Sequence, residues 1–259
     1  MFQFTLTEIT ALIGSFVWPF FRIGAFFMVA PVFSANFVNA RVRIMIAMLL
    51  TFVLVPLLPP VPTVDPLSIA ASLLVAQQII IGVALGLVMQ FFFQVFAFGM
   101  QLVAMQMALG MAAITDPVNG VNTTVVAQYF IMLLTLVFVA SNGHLVMLEV
   151  FLESFRAMPV GGDGFLQEQS YSLVTSASWI FVSGLLLALP AITALLVLNF
   201  MFGVMTRAAP QLNIFSLGFP VSMIFGMFLI WAMMGDFLPR FDRLSGEIFG
   251  YMRILIGIA

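Results

Sequence analysis

The sequence predicts an all-α membrane protein of kinked helical hairpins, with about six apolar helical runs. Three observations carry this prediction: 63% of the 259 residues are hydrophobic, only 7% are charged, and the mean hydropathy is +1.22. Soluble domains have about 25% charged residues, and a helix that crosses a bilayer needs about 20 apolar residues in succession. The apolar runs are residues 9–35, 44–62, 66–115, 125–148, 173–206 and 214–235.

Arginines within the first run and just before the second run bear on burial and on topology. Arg22 lies in the middle of the first run, shortly after Pro19. Such a cation either extends to the membrane surface from the end of a short half-helix or pairs with an acid of a neighbouring subunit. Arg41 and Arg43 form a short basic loop before the second run, and with Arg207 they indicate the cytoplasmic side.

The third run, residues 66–115, is too long for one simple span and too short for two spans with a loop. We expect either a helix that continues beyond the bilayer or a helix that is kinked at a glycine. The candidate glycines are Gly82, Gly86 and Gly99. Several glutamines of this run share one helical face, which predicts an interhelical or pore-lining polar stripe. The stripe consists of Gln90, Gln94 and Gln101.

The third run leads into a stretch whose composition breaks a helix, residues 105–122. The proline after Asp116 disfavours helix at the aspartate, and Asn119-Gly120 favours a turn. Non-helical backbone is tolerated at membrane depth only where protein buries it or where it lines a water-filled cavity. The stretch is therefore either a surface loop or a plug inside a pore. Its methionines are either ordinary core residues or a deformable seal, because unbranched thioether side chains repack easily.

The second half of the chain contains the best internal boundary, a polar segment at residues 149–172. The fifth run is interrupted by Pro190 and ends at residues 207–210, and the sixth contains Pro220. The tail, residues 236–259, mixes arginines and acids with apolar side chains, which predicts an interfacial or partner-packed helix.

The residue types exclude several classes of function. Cysteine is absent and there is one histidine, so neither thiolates nor a histidine cluster can hold a metal. The sequence contains no nucleophile, phosphate-binding or zinc-protease motif, so we expect no enzymatic activity and no cofactor. Eight basic residues are too few for a polybasic groove, which argues against nucleic acid as a partner.

Two sets of motifs resemble those of the FliR family. They are Gly110-Met111-Ala112 through Asp116-Pro117-Val118-Asn119-Gly120, and Asn199-Phe200 with Arg207-Ala208-Ala209-Pro210-Gln211-Leu212-Asn213 and Gly218-Phe219-Pro220. FliR proteins are export-gate subunits of the flagellar type III secretion apparatus, and the virulence injectisome has a counterpart called SctT. The likeness covers essentially the whole chain.

The resemblance implies a core subunit of the flagellar export gate, in the bacterial inner membrane at the flagellar basal body. It implies a channel for unfolded flagellar proteins, built with several copies of FliP and FliQ homologues and contacted by FlhB and FlhA homologues. Residues 1–165 would be a FliP-like part with a plug loop. Residues 166–259 would be a FliQ-like helical hairpin with a tail helix.

The resemblance also assigns roles to individual residues. The plug and gating residues would be Met105, Met107, Gly110, Met111, Ala112, Ala113, Ile114, Asp116, Pro117 and Gly120. A turn with Arg207, Pro210 and Asn213 would face the cytoplasm and the FlhB partner.

Three alternatives stay open on the sequence alone. The first is an export gate of the injectisome, which differs in its substrates. The second is a small-solute secondary transporter, which would have paired charges at the membrane midplane and internal inverted repeats. The third is a structural nucleus on which partner subunits assemble.

Overall fold

The structure, a computed structural model, describes residues 6–34, 38–62, 64–65, 68–110, 124–162, 167–208 and 214–258. Within these ranges the chain forms helices and no strand, which confirms the all-α prediction. The α-helices are α1 (Leu6–Val29), α2 (Ala40–Leu54), α3 (Ile69–Gln106), α4 (Val125–Ala140), α5 (Gly143–Ala157), α6 (Gln167–Ala208), α7 (Ile214–Met233) and α8 (Phe237–Leu255). Short 3-10 helices, Val55–Leu57 and Met234–Asp236, follow α2 and α7.

Among the described residues, five helical stretches are long and apolar enough to cross a membrane, and the bent pair of α4 and α5 counts as a sixth. The stretches are Leu12–Val29, Ala40–Leu57, Ile69–Gln106, Glu168–Ala208 and Gly218–Leu255. This agrees with the number of apolar runs in the sequence. The third and fourth stretches have 38 and 41 residues, about twice the length that a bilayer requires.

The overlong third run is one continuous helix, and its glycines are sites of close packing. Gly82 and Gly86 are four residues apart on α3, the spacing that lets two helix backbones approach in membranes. A Cβ added at Gly82 would contact the backbone carbonyl of Arg22 and lie 3.0 Å from the Ala25 Cβ. A Cβ added at Gly86 would lie 2.9 Å from the Val29 Cβ. The missing side chains at these two glycines bring α3 against α1, and the kink stays a prediction.

Arg22 lies inside the protein, fully buried, and its guanidinium joins α1 to α3 and α5. Its Nε donates to the Gln78 side-chain oxygen at 2.7 Å. Its Nη1 and Nη2 donate to the carbonyls of Ser154 at 3.0 Å and Met158 at 2.8 Å. The cation also lies 4.3 Å from the centre of the Phe155 ring. Arg22 thus neither reaches the membrane surface nor needs an acid from another subunit, in contrast to both sequence interpretations.

The Arg22 contacts fall on the C-terminal end of α5, where a helix presents carbonyls without intrahelical partners. The last carbonyls of a helix carry partial negative charge, and a cation there is stabilising. Ser154 lies in the last turn of α5 and Met158 is its C-terminal cap. The buried cation therefore finds uncharged but strongly polar acceptors, which satisfies both the guanidinium and the helix end.

The fourth apolar run differs from the sequence prediction because it is broken in two. Asn142 has a φ of 58°, a left-handed conformation that asparagine tolerates, and it separates α4 from α5. The two helices are bent by 71°. Helix α5 then continues to Ala157, through the start of the segment that the sequence assigned to a polar boundary.

The fifth run, in contrast, is not interrupted at its proline. Helix α6 continues through Pro190, although proline removes a backbone donor in a helix interior. Thr193 lies one turn later and donates its hydroxyl to the carbonyls of Leu189 at 2.9 Å and Pro190 at 3.0 Å. The carbonyl that loses its backbone donor is that of Leu186, four residues before the proline, so the Thr193 bonds are back-bonds to the preceding turn and do not replace the lost one.

The chain forms two compact units. Unit 1 comprises residues 1–91, 142–177 and 247–259, and unit 2 comprises residues 92–141 and 178–246. In unit 1, the rings of Phe26 and Phe151 stack with 4.2 Å between centroids. In unit 2, Phe92 contacts four other rings at centroid distances between 5.5 and 6.2 Å; these are Phe93, Phe96, Phe138 and Phe241. The proposed division at residue 165 rests on likeness to two other proteins and stays a prediction.

Replacing Arg22 with methionine is expected to destabilise unit 1 by about 2–4 kcal/mol, because Gln78 and two carbonyls at the end of α5 lose a charged donor. The stability of Arg22→Lys is expected to lie between those of the unmodified chain and Arg22→Met, since an ammonium keeps the charge but lacks the planar fork of a guanidinium. Thermal unfolding of the detergent-solubilised chain, followed by circular dichroism, measures the change. The matched control is Arg156→Gln, an exposed arginine in the last turn of α5. Equal stability of Arg22→Met and Arg156→Gln would contradict the assignment.

A second pair of variants tests the packing of α1 on α3. Gly82→Ala is expected to lower the free energy of unfolding by about 1–3 kcal/mol, because the added Cβ meets the backbone of α1. Gly24→Ala is the control, because a Cβ at Gly24 meets no atom within 4 Å and alanine favours helix by about 0.5–1 kcal/mol. The midpoint of thermal unfolding should fall for the first and rise for the second. A rise for both would contradict the close contact.

Candidate functional site at the end of α3

Helix α3 ends in a Schellman motif at the start of the stretch that the sequence singles out. The Leu109 N–H donates to the Ala104 carbonyl and the Ala108 N–H to the Met105 carbonyl, both at 3.0 Å. Ala108 has a φ of 63°, the left-handed conformation that this position requires. Helix α8 ends in the same motif, but with Gly257 in the left-handed position, at a φ of 77°. The helix therefore ends earlier than Asp116-Pro117, and alanine in place of the usual glycine hides this end from the sequence.

Met107 anchors the end of α3 in the core of unit 2. Its side chain is fully buried and lies against Gly226 of α7. A Cβ added at Gly226 would lie 2.6 Å from the Met107 sulfur, so a larger residue there would require the Met107 side chain to move. The buried cluster around it contains Val103, Met107, Ala188, Ala191 and Leu195. Met107 is thus a packing residue that joins α3 to α6 and α7.

Met105 differs from Met107 in its exposure. It is 59% exposed, whereas Met107 is 0% exposed. A flexible apolar side chain on the surface is available for contact with another chain or with another conformation. Of the two predicted gating methionines that the structure describes, only Met105 is placed to move freely.

A polar contact joins the end of α3 to the start of α4. The Gln101 side-chain oxygen accepts a hydrogen bond from the Thr124 N–H at 3.0 Å. Thr124 is also the N-cap of α4, and its hydroxyl accepts from the Ala127 N–H at 3.4 Å. We call this contact the Gln101–Thr124 clasp. It holds the start of α4 beside the last turns of α3.

The remaining plug residues lie outside the described residues. Gly110 is described and half-buried. The others are Met111, Ala112, Ala113, Ile114, Asp116, Pro117 and Gly120, within the undescribed segment 111–123. Their role as a plug stays a prediction.

The predicted glutamine stripe has three different environments. Gln90 is half-buried and Gln94 is exposed. Gln101 forms the clasp, and an interhelical role for the stripe as a whole stays a prediction. A pore-lining role for these glutamines stays a prediction.

The predicted partner-facing turn lies between α6 and α7. Arg207 is exposed in the last turn of α6, while Pro210 and Asn213 lie outside the described residues. Asn199 on α6 accepts a hydrogen bond from the Ser222 hydroxyl on α7 at 3.1 Å. This contact pairs the two helices as a hairpin, and nothing in the sequence marks Ser222 as its partner.

The site offers packing and backbone geometry rather than reactive groups. Across the described ranges, no group of three or more His, Cys, Asp or Glu side chains could hold a metal ion. The features present are a helix end, a buried methionine, an exposed methionine and a clasp. Such an arrangement can hold a segment in place, and it contains no nucleophile beside a base.

Comparison with known proteins identifies close relatives over the whole length. The profile of the family described as bacterial export proteins, family 1, matches residues 13–248. The flagellar biosynthetic protein FliR of Escherichia coli (strain K12) is 37% identical over 256 residues, which cover 99% of this chain and 98% of that protein. FliR of Pectobacterium carotovorum subsp. carotovorum is 36% identical, with 96% and 95% covered. FliR of Bacillus subtilis (strain 168) is 24% identical, with 88% and 89% covered.

Ala108→Gly is expected to stabilise the end of α3 by about 1 kcal/mol, because glycine adopts the left-handed conformation without the Cβ clash. Hydrogen exchange of the Ala108 and Leu109 amides should slow by roughly five-fold, since both donate in the motif. The mirror variant, Gly257→Ala at the end of α8, should speed exchange of the Gly257 and Ile258 amides. Faster exchange in Ala108→Gly would show that the helix does not end in this motif.

Proposed function

Because the chain belongs to the bacterial export proteins, family 1, we propose that it is a core subunit of the flagellar type III protein export gate. It is a multi-pass membrane protein by the length and apolarity of its helices. Its near full-length similarity to proteins named FliR supports the flagellar apparatus over the injectisome. The function is passage of unfolded flagellar proteins across the bacterial inner membrane at the basal body, without catalysis by this chain.

The proposed channel is built with several copies of FliP and FliQ homologues, with FlhB and FlhA homologues as further partners. What supports such an assembly is the apolar surface that several long helices leave uncovered. Of the most apolar window in Ile69–Gln106, 61% is buried, but only 17% is buried in Ala40–Leu57 and in Gly218–Leu255. Membrane lipid and neighbouring apolar subunits are the two environments that suit such surfaces.

The proposed gate is the segment that follows Gly110. The observation that carries this proposal is the frame around it: the Schellman end of α3, buried Met107 and the Gln101–Thr124 clasp. A frame of fixed helix ends lets a short segment close a passage in one conformation and leave it in another without disturbing the core. Exposed Met105 beside it supplies the deformable apolar contact that a seal requires.

Deletion of residues 110–114 tests the gate. We expect the complex to assemble, because Met107 and Thr124 lie outside the deletion, and we expect the membrane to leak small ions. Co-purification through a tag on this chain measures assembly, and single-channel conductance in planar bilayers measures the leak. A matched variant that replaces the same residues with glycine and serine keeps the chain length, so a leak in both variants assigns the seal to the side chains.

The outcomes separate the proposal from its rivals. An intact complex with unchanged conductance would contradict the gate and favour a structural nucleus. Co-purifying partners that are themselves small, apolar and multi-helical would support the export gate. Solute uptake by this chain alone in vesicles would favour a secondary transporter.

A further inference from the structure

Two hydrogen bonds at the end of α3 use four groups that a straight helix would also pair. The Leu109 N–H donates to the Ala104 carbonyl at 3.0 Å. The Ala108 N–H donates to the Met105 carbonyl, also at 3.0 Å. In a continuous α-helix each N–H donates to the carbonyl four residues earlier, so the two donors would exchange these two acceptors. Straightening the end of α3 therefore loses no hydrogen bond.

The residue at the bend favours the straight form. Ala108 has a φ of 63°, in which its Cβ crowds the following carbonyl oxygen, and alanine is the strongest helix former. The end of α8 has Gly257 in the same position, with a φ of 77°. Glycine adopts this conformation freely and destabilises a helix interior. Helix α8 thus ends at a residue that suits the bend, whereas α3 ends at a residue that opposes it.

Leu109 favours the bent form. It is half-buried and packs against the buried cluster that contains Val103 and Met107. On a straight helix Leu109 would lie four residues after Met105 and on the same face. That face is exposed, because the Met105 side chain is 59% exposed. Straightening therefore relieves the backbone at Ala108 and removes an apolar contact of Leu109, so the two changes oppose each other.

The change between the two forms is confined to two residues. The Met107 N–H already donates to the Val103 carbonyl, four residues earlier, at 3.0 Å. The Met107 side chain is fully buried, and the backbone at Gly110 is helical again. Only Ala108 and Leu109 must change conformation for α3 to continue.

We propose that the end of α3 is a two-state hinge, in which Ala108 changes between the left-handed and the helical conformation while Met107 stays in place. The bent form is the one described here, and the straight form redirects the chain after Gly110. A switch requires an element with two discrete forms of similar free energy. The role of the hinge in opening the passage rests on the proposed function, whereas the hinge itself rests on residues 103–110 alone.

A disulfide traps the bent form, and the absence of cysteine from the chain makes it specific. A Cβ at Gly110 would lie 3.8 Å from the Met105 Cβ, a distance that suits a disulfide. We expect Met105→Cys/Gly110→Cys to cross-link on mild oxidation. The control is Leu196→Cys/Met201→Cys, two exposed positions with the same spacing inside α6, which point apart on a continuous helix. Mass spectrometry should find at least about ten-fold less cross-linking in the control.

A zinc site traps the straight form. Two histidines four residues apart on one helical face bind Zn²⁺ together, and positions 106 and 110 share a face only when α3 is straight. We expect Gln106→His/Gly110→His in detergent to bind Zn²⁺ at least about ten-fold more tightly than Gln106→His alone, measured by isothermal titration calorimetry. Added to the pair, Ala108→Gly should weaken binding at least about five-fold, because it favours the bent form. Leu109→Ala should strengthen it.

The conductance of the purified complex in planar bilayers tests the role of the hinge in the gate. Zn²⁺ should raise the current through complexes with the histidine pair. Oxidation should suppress opening in complexes with the Met105→Cys/Gly110→Cys pair, and a reductant should restore it. Zn²⁺ binding and cross-linking with unchanged currents would overturn the role of the hinge in the gate.

Two results would overturn the hinge itself. They are equal Zn²⁺ affinities of the histidine pair and of Gln106→His alone, and an affinity of the pair that Ala108→Gly leaves unchanged. The deletion of residues 110–114 separates the hinge from the proposed function. A leak in that deletion without Zn²⁺ binding by the pair would overturn the hinge alone. Zn²⁺ binding without that leak would overturn the proposed gate alone.

Discussion

Unit 1 depends on the burial of Arg22, because this cation needs hydrogen-bond acceptors from other helices. A guanidinium removed from water costs several kcal/mol unless its donors are satisfied. Here the acceptors come from a glutamine on α3 and from the end of α5, so three helices must be in place before the cation can be buried. The close approach of α1 to α3 at Gly82 places the Arg22 backbone where its side chain can reach both.

Unit 2 is held by a different kind of contact. Its core contains a group of phenylalanine rings around Phe92 and an aliphatic cluster around Met107. Glycines again mark where helices touch, because a Cβ at Gly99 would lie 2.8 Å from the Gly184 carbonyl oxygen. Helix α3 therefore contacts α1 in one unit and α6 in the other through glycine. Its high burial compared with other long helices follows from these contacts.

The fold class and the number of apolar runs were predictable from the sequence because bilayer thickness fixes how long an apolar helix must be. Contacts between distant residues were not. Arg22 and its acceptors on α5 are more than 130 positions apart, and a lone arginine in an apolar run has the same appearance whether it is buried or at the surface. Gly82 and Gly86 were identified as special, but their effect on α3 depends on which helix lies opposite. The end of α3 was placed too late because Ala108 occupies a position that glycine usually marks. The plug residues beyond Gly110 depend on the resemblance alone.

The Gln101–Thr124 clasp bears on how many residues can lie between α3 and α4. The hydrogen bond holds Gln101 and Thr124 together directly, and no residue between them takes part in it. The entropic cost of closing a flexible connection rises only with the logarithm of its length, about 0.6 kcal/mol for each doubling. Insertions and deletions between Gly110 and Thr124 are therefore cheap for the surrounding helices. In the gate proposed above, the length of that connection could change with the width of the passage while the helices on either side stay the same.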